Sequence, residues 1–254
     1  MAKGKNIAKS AVKFIGDGIS DLFYHFVPFS GVKDIGMAAG HFIANGDFTN
    51  YVPSWNQHSY FRKVGEGSGD HHLNIVCTNG ICVSAAEMEQ RTQDTFDYYG
   101  GKFDVYICYN ATHGFVADIL ECIGQCVGIC MHATEKLTNG LVNAVTALGD
   151  YGTTYLNAHS QGGLTAYDAS RYLPSSIASR IDAFTIGSPV ALPNRSYGKV
   201  KNAAASWDFV SWPTRGYNSM KTKLGGQSAP ISTLKTNRSA LKAHFYSYGA
   251  YKKP

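Results

Sequence analysis

The chain has 254 residues, of which 44% are hydrophobic, 13% aromatic and only 16% charged, with a net charge of +5. Disorder needs low hydrophobicity and high net charge, so this composition excludes it for most of the chain, and the lack of repeats or biased tracts excludes collagen, coiled-coil and low-complexity classes. The length suits between one and two domains, the charge is too slight to argue for nucleic acid, and the apolar, aromatic bias points to an apolar partner or substrate.

The first 60 residues read as a helical extension. Ala8, Val12, Ile15, Ile19, Leu22 and Phe26 recur every three or four positions, with Lys5, Lys9 and Lys13 on other faces. This is the pattern of an amphipathic helix. Such a helix either packs on the main domain or lies on a membrane, where lysines flanking an apolar face suit anionic lipid. Pro28 and Gly31 separate it from a second helix over Val32 to Ala44, and Asn45-Gly-Asp47 and Pro53-Ser54 mark irregular chain. The basic start has no uninterrupted apolar core and no clean cleavage site, so no secretory signal is expected. No stretch reaches the roughly 18 apolar residues of a membrane-spanning helix. Export without a signal peptide and attachment to a membrane both stay open.

Gly65 to Asp70 reads as a flexible boundary, and the main domain covers residues 61–254. Leu73–Cys77 is a predicted strand, closed by the turn Thr78-Asn79-Gly80. Ser84 and Glu87 have the spacing of a capping box for a helix reaching Tyr98. Phe103–Tyr109 is a second strand, ending in Asn110 to Gly114. A long, weakly polar helical region is predicted from Val116 to Leu148. Within it Cys122, Cys126 and Cys130 recur every fourth residue and stack on one helix face. Zinc knuckles use cysteine pairs on turns, so core packing is preferred over a metal site completed by His132, and no metal is expected. Cys77 and Cys108 sit in apolar runs and read as small buried hydrophobes. Thr153–Ala158 is a third strand, followed by a helix from Gln161 to Tyr172. Ile181–Ile186 is a fourth strand and Val200–Ser206 a fifth, while Arg215 to Thr236 reads as polar chain where a further strand would fit. Strands alternating with helices at this spacing imply right-handed crossovers. The fold class is α/β, with a mostly parallel sheet flanked by helices.

The strongest chemical signal is Ala158-His159-Ser160-Gln161-Gly162-Gly163, between a strand and a helix. A serine on a sharp strand-to-helix turn needs small residues two before and two after it, because strand and helix approach too closely for larger ones. Such a serine is a poor nucleophile until a base takes its proton and a carboxylate fixes the base. On such a sheet the chain order is Ser, then Asp or Glu, then His. Asp168 lies on the following helix and Asp182 at the wrong end of a strand. Asp208 lies just beyond the fifth strand, and His244 is the one histidine after Ser160. The expected triad is therefore Ser160, Asp208 and His244. An oxyanion is expected to meet the N–H of Gln161 at the helix start and the N–H of Gly80 or Ile81 in the loop after the first strand. Asn79 either lines the substrate site or holds that loop by side-chain hydrogen bonds. His113 lines the pocket or competes with His244 as base. His159 diverges from Ser160 at such a turn and is read as lining the site.

These motifs resemble the α/β-hydrolase superfamily and, within it, lipase-like serine esterases. The run Ala158 to Gly163 is similar to the Ala/Gly-His-Ser-x-Gly-Gly of many lipases. Phe184-Thr-Ile-Gly-Ser-Pro-Val190 is similar to the strand end after it in class 3-type lipases. Trp207-Asp-Phe-Val-Ser-Trp-Pro213 resembles their acid-bearing segment, and His244-Phe-Tyr-Ser-Tyr248 their final histidine. Val27 to Asp34 is loosely similar to segments preceding toxin domains of bacterial secreted effectors. Two departures stand out: Ala158 replaces a glycine, and Asn79-Gly80 stands where a His-Gly oxyanion motif is usual. The resemblance implies an α/β-hydrolase-type sheet and a cofactor-free serine hydrolase of the lipase or phospholipase A type. Its substrate would be a lipid or other acyl ester. Transfer of the acyl group to an alcohol or thiol is one alternative. The other is a membrane- or partner-binding protein that uses the hydrolase fold as scaffold and its N-terminal helices for peripheral membrane contact.

Overall fold

Strands buried on both faces read as nearly continuous apolar runs, as residues 75–77 and 105–109 do, whereas Thr153–His159 is mixed and leaves Tyr155 exposed. In the computed structural model residues 58–69, 71–81, 83–113, 118, 121, 122, 125, 130–205, 208, 211 and 231–234 are described. The two predicted N-terminal helices lie outside these residues. In chain order the elements are β1 (Tyr60–Gly65), β2 (Leu73–Thr78), α1 (Ala85–Tyr98), β3 (Asp104–Tyr109), α2 (His132–Ala147) and β4 (Thr153–His159). They continue with α3 (Gln161–Ala169), α4 (Ser175–Ala178), β5 (Ile181–Ile186), β6 (Lys199–Ala205) and β7 (Ile231–Leu234).

The strands form one seven-stranded sheet in the order β1-β3-β2-β4-β5-β6-β7. β1 runs antiparallel to β3 and every other pairing is parallel. The expected mostly parallel sheet flanked by helices is therefore observed. Alternate residues of each strand serve the two faces. Val76, Tyr106, Cys108, Leu156 and Ala158 pack with Leu137, Leu141 and Val145 of α2. Ile75, Cys77, Val105, Ile107 and Tyr109 pack with Met88 of α1 on the other side. Each large side chain so buried stabilises the fold by about 1.5–3 kcal/mol. Burial pushes the thiols of Cys77 and Cys108 up to about 12, as suits small hydrophobes.

Four sequence expectations need correction. Residues 60–65 are a strand, and the glycine-rich chain after it is a connection tied to the start of β3. There Gly67 N donates to Asp104 Oδ1 and Ser68 N to Gly101 O. The described residues of the helical region Val116–Leu148 are interrupted at Cys130 and Met131, which overturns the expected stacking of its cysteines on one face. Met131 has extended backbone (φ −91°, ψ 159°) and caps α2, and Cys130 lies outside the helix, exposed, whereas Cys122 is buried. Cys122 and Cys130 therefore do not share a helix face, and Cys126 lies outside the described residues. Glycines at 124 and 128 weaken helix ahead of this break. The helix after Ser160 ends at Ala169, and Pro174 starts the separate turn α4. Finally, Ile231–Leu234 forms β7 on the edge of β6, inside the stretch read as polar chain.

Ser84 caps α1 as expected by accepting the Glu87 N–H, but the Glu87 carboxylate pairs with Arg91 and leaves the capping box half made. Gly140 sits inside α2 because the Phe61 ring of β1 occupies the place of a side chain: a Cβ there would stand 2.1 Å from Phe61 Cδ2. No helix of the described residues is long and apolar enough to cross a membrane.

Candidate active site

Parallel strands bring their carboxyl ends to one edge of a sheet, where loops meet ligands. Gly80 follows β2, His113 follows β3, Ser160 follows β4 and Asp208 follows β6, so the topology gathers these residues along one edge. Asp208 and Ser160 follow strands two places apart, a lateral offset of about 10 Å.

The chain turns sharply at Ser160. Its φ of 55° and ψ of −122° make it the one non-glycine residue with positive φ among the described residues. Such a backbone costs about 1–3 kcal/mol and persists only where the surroundings enforce it. Enforcement comes from Ser160 N donating to Ile186 O at 2.9 Å and Gly163 N donating to Ser160 O at 2.9 Å. It also comes from crowding. A Cβ at Gly162 would stand 2.9 Å from Thr78 O and Asn79 O, and one at Gly163 only 2.4 Å from Ser188 Oγ. Ala158 is wholly buried. The small residues around the serine are thus set by α3 pressing on the ends of β2 and β5.

The loop after β2 lies directly against the serine. A Cβ at Gly80 would stand 2.6 Å from Ser160 Cβ, 3.0 Å from its Oγ and 3.4 Å from His159 Nδ1. Asn79 fixes this loop. Its amide donates to Gly80 O and Asn110 O, both at 2.9 Å, and its Oδ1 accepts the Asn110 N–H at 2.8 Å. Asn79 is fully buried. Of the two roles expected for it, these bonds supply the loop-holding one. Ile81, the next turn residue, is half-buried. Gln161 is the first residue of α3, where backbone N–H groups have no partner within the helix.

Asp208 is fully buried immediately after β6, with its N–H donating to Ala205 O and its carbonyl accepting from Ser211 Oγ. His244 lies outside the described residues. His159 is buried beside Gly80. His113 is three-quarters buried; its N–H donates to Asp118 Oδ1, and its Nε2 lies 3.8 Å from Glu121 Oε1. Among the described residues no cluster of three or more His, Cys, Asp or Glu is placed to hold a metal ion.

Sequence reasoning missed a buried polar group behind the turn. Gln161 Nε2 lies 3.5 Å from Glu121 Oε2 and 3.4 Å from Gln125 Oε1. Burial, and then the charge of Asp118, raise the Glu121 carboxyl above its ordinary range, against the opposing pull of His113 and the Gln161 hydrogen bond. The available signal was the four-residue spacing of Glu121 and Gln125 in an otherwise weakly polar stretch.

No family model matches the sequence, and no curated protein does. Among solved structures the chain is similar to the esterase PE8, at 13% identity and a TM-score of 0.42, over 76% of this chain and 97% of that one. It is similar to an arylesterase at 9% identity and a TM-score of 0.42, over 93% and 96% of the two chains. It is also similar to Est1E from Butyrivibrio proteoclasticus, at 12% identity and a TM-score of 0.38, over 80% and 95%.

Proposed function

We propose that the protein is a serine hydrolase of carboxylic esters that works through an acyl-enzyme on Ser160. The observation that carries this reading is the strained, enforced backbone of Ser160 with Gly80 packed against it. A serine held that way presents its hydroxyl between a helix start and an adjacent loop, as acyl transfer requires. In this reading Ser160 Oγ attacks the ester carbonyl. His244 takes the hydroxyl proton and returns it to the leaving alcohol, and Asp208 holds the histidine's tautomer. The N–H groups of Gln161 and of Gly80 or Ile81 receive the oxyanion. Water then attacks the acyl-enzyme by the same steps, and the reaction calls for no cofactor.

The substrate in this reading is a lipid ester, of the lipase or phospholipase A type. Its support is the apolar composition and the weakly polar chain between Phe115 and Cys130, since α2 is occupied with the core. Replacing Ser160 with alanine should lower p-nitrophenyl ester hydrolysis at least a thousandfold while the circular dichroism spectrum stays unchanged. Retained hydrolysis would overturn the reading, and a phospholipid panel then assigns head group and chain length. In this reading the amphipathic N-terminal segment around Lys5, Lys9 and Lys13 makes the membrane contact. Reversing Lys5, Lys9 and Lys13 to glutamate should weaken co-sedimentation with anionic vesicles at least tenfold at low salt and leave soluble-ester hydrolysis within twofold.

A further inference from the structure

An oxyanion donor is effective only if it points at the developing charge before the reaction starts. The Gln161 N–H has no partner within its helix, and its peptide is held on the carbonyl side by Gly163 N donating to Ser160 O at 2.9 Å. A second hold on this residue comes from outside α3. The buried polar group described above closes a ring on it. Gln161 Nε2 reaches Gln125 Oε1 at 3.4 Å, Gln125 Nε2 donates to Thr165 Oγ1 at 3.2 Å, and Thr165 Oγ1 donates back to Gln161 O at 3.2 Å. Gln125 also donates to Thr134 Oγ1 at the start of α2. Gln125, Gln161, Thr134 and Thr165 are all essentially buried. This ring of bonds, out of water, restricts the Gln161 side chain through its Nε2, while Gln161 Oε1 is buried without a hydrogen bond among the described residues.

Glu121 is the charged member of the network. One carboxylate oxygen accepts from Gln161 Nε2, and the other faces His113. Asp118, three residues earlier, accepts from Thr112 Oγ1 at 2.6 Å and from the His113 N–H at 2.8 Å. The same stretch of chain thus grips the loop after β3 at Asp118 and the residue after Ser160 at Glu121 and Gln125.

We infer that Glu121 and Gln125 are positioning residues: through the Gln161 side chain they hold the Gln161 N–H aimed at the oxyanion of the Ser160 site. The inference rests on the ester-hydrolase reading above. A displaced donor should cost less than a deleted one, which is worth about 10²–10³ in rate. Glu121→Ala should therefore lower kcat about tenfold with KM within twofold, and weaken binding of a trifluoromethyl ketone by the same factor. Glu121→Gln keeps an oxygen that accepts from Gln161 and should stay within twofold of wild type. Gln161→Leu keeps the backbone N–H but loses both anchors, so it should lower kcat at least as far as Glu121→Ala. The double variant should be no worse than Gln161→Leu alone, because both changes break one device.

Wild-type kinetics in Glu121→Ala and Gln161→Leu would overturn the inference, as would losses that multiply in the double variant. A tenfold loss in Glu121→Gln would overturn it too, by showing that the charge matters rather than the hydrogen bond. Should Glu121→Ala lose its fold, Gln161→Leu and Glu121→Gln decide by the same criteria. A wild-type protein that neither hydrolyses p-nitrophenyl esters nor reacts with a fluorophosphonate at Ser160 overturns the ester-hydrolase reading itself. An active wild type with unaffected variants overturns only the positioning role.

Discussion

The two ends of α3 differ in how many partners their buried groups have, although each keeps a polar atom without a hydrogen bond among the described residues: Gln161 Oε1 at the start and the Asp168 carboxylate at the end. At its start, Ser160 is strained, but every constraint on it has a visible source: two backbone hydrogen bonds, three close approaches at glycines, and a polar network behind Gln161. At its other end, roughly 12 Å along the helix, Asp168 is buried with neither carboxylate oxygen hydrogen-bonded among the described residues. Only Arg171, half-exposed, stands 3.8 Å away. Burial pushes the Asp168 carboxyl up to about 6, Arg171 notwithstanding. A perturbed carboxyl is a common marker of an active site, yet Asp168 sits toward the opposite edge of the sheet from the loops after β2, β3 and β6. Perturbation without surrounding partners marks a cost to stability. Strain with enforcement on all sides marks a site.

Filling the space at the start of the helix should have the larger effect. Gly163→Ala drives a methyl group into Ser188, so α3 must shift against β5. Overpacking of this kind costs about 1–3 kcal/mol in urea unfolding. Because the shift moves Ser160 and Gln161, ester hydrolysis should fall at least tenfold as well. Unchanged activity would mean that the tight approach is not what sets the site.

Relieving the other end should have a smaller effect, of opposite sign. A carboxyl whose folded value lies above its ordinary 3.8 binds its proton more tightly folded than unfolded. Stability is therefore unpenalised below pH ~4, falls as pH rises toward ~6, and stays reduced above that. The full penalty is on the order of 3 kcal/mol. Asp168→Asn removes it but leaves a buried amide short of partners, which takes back about 1–3 kcal/mol. Urea unfolding at pH 8 should show a gain of about 1 kcal/mol, and the fall in stability between pH 4 and 6 should flatten. Activity should stay within twofold. A large loss of activity in Asp168→Asn would erase the contrast between the two ends.

The site end was legible in the sequence because its constraints are local. The turn at Ser160 needs Ala158, Gly162 and Gly163 within two or three residues of it, and the strand before and the helix after give the context. Strands β2 and β3 were legible because burial on both faces leaves short apolar runs, and β4, β5 and β6, which carry Asn157, Asp182 and Lys201, were legible from their alternation with helices and turn residues. The edge strands were not. β1 carries Arg62 and Lys63, whose charges read as surface chain; in the fold they pair with Glu89 and Asp104. β7 is a four-residue Ile-Ser-Thr-Leu whose ladder is supplied by β6. The break before α2 escaped because the spacing of Cys122, Cys126 and Cys130 carries periodicity but no stop signal. The Glu121–Gln125–Gln161 network and the burial of Asp168 are tertiary facts, and no local pattern encodes which residues meet across 36 or 40 positions.

The most direct test of the central claim is covalent trapping of the nucleophile. Incubating the full chain with a fluorophosphonate, followed by intact-mass measurement and peptide mapping, should show one adduct per chain. The adduct should sit on Ser160, form together with loss of ester hydrolysis, and be absent from Ser160→Ala. An unlabelled, active protein, or an adduct on any other residue, would contradict the account.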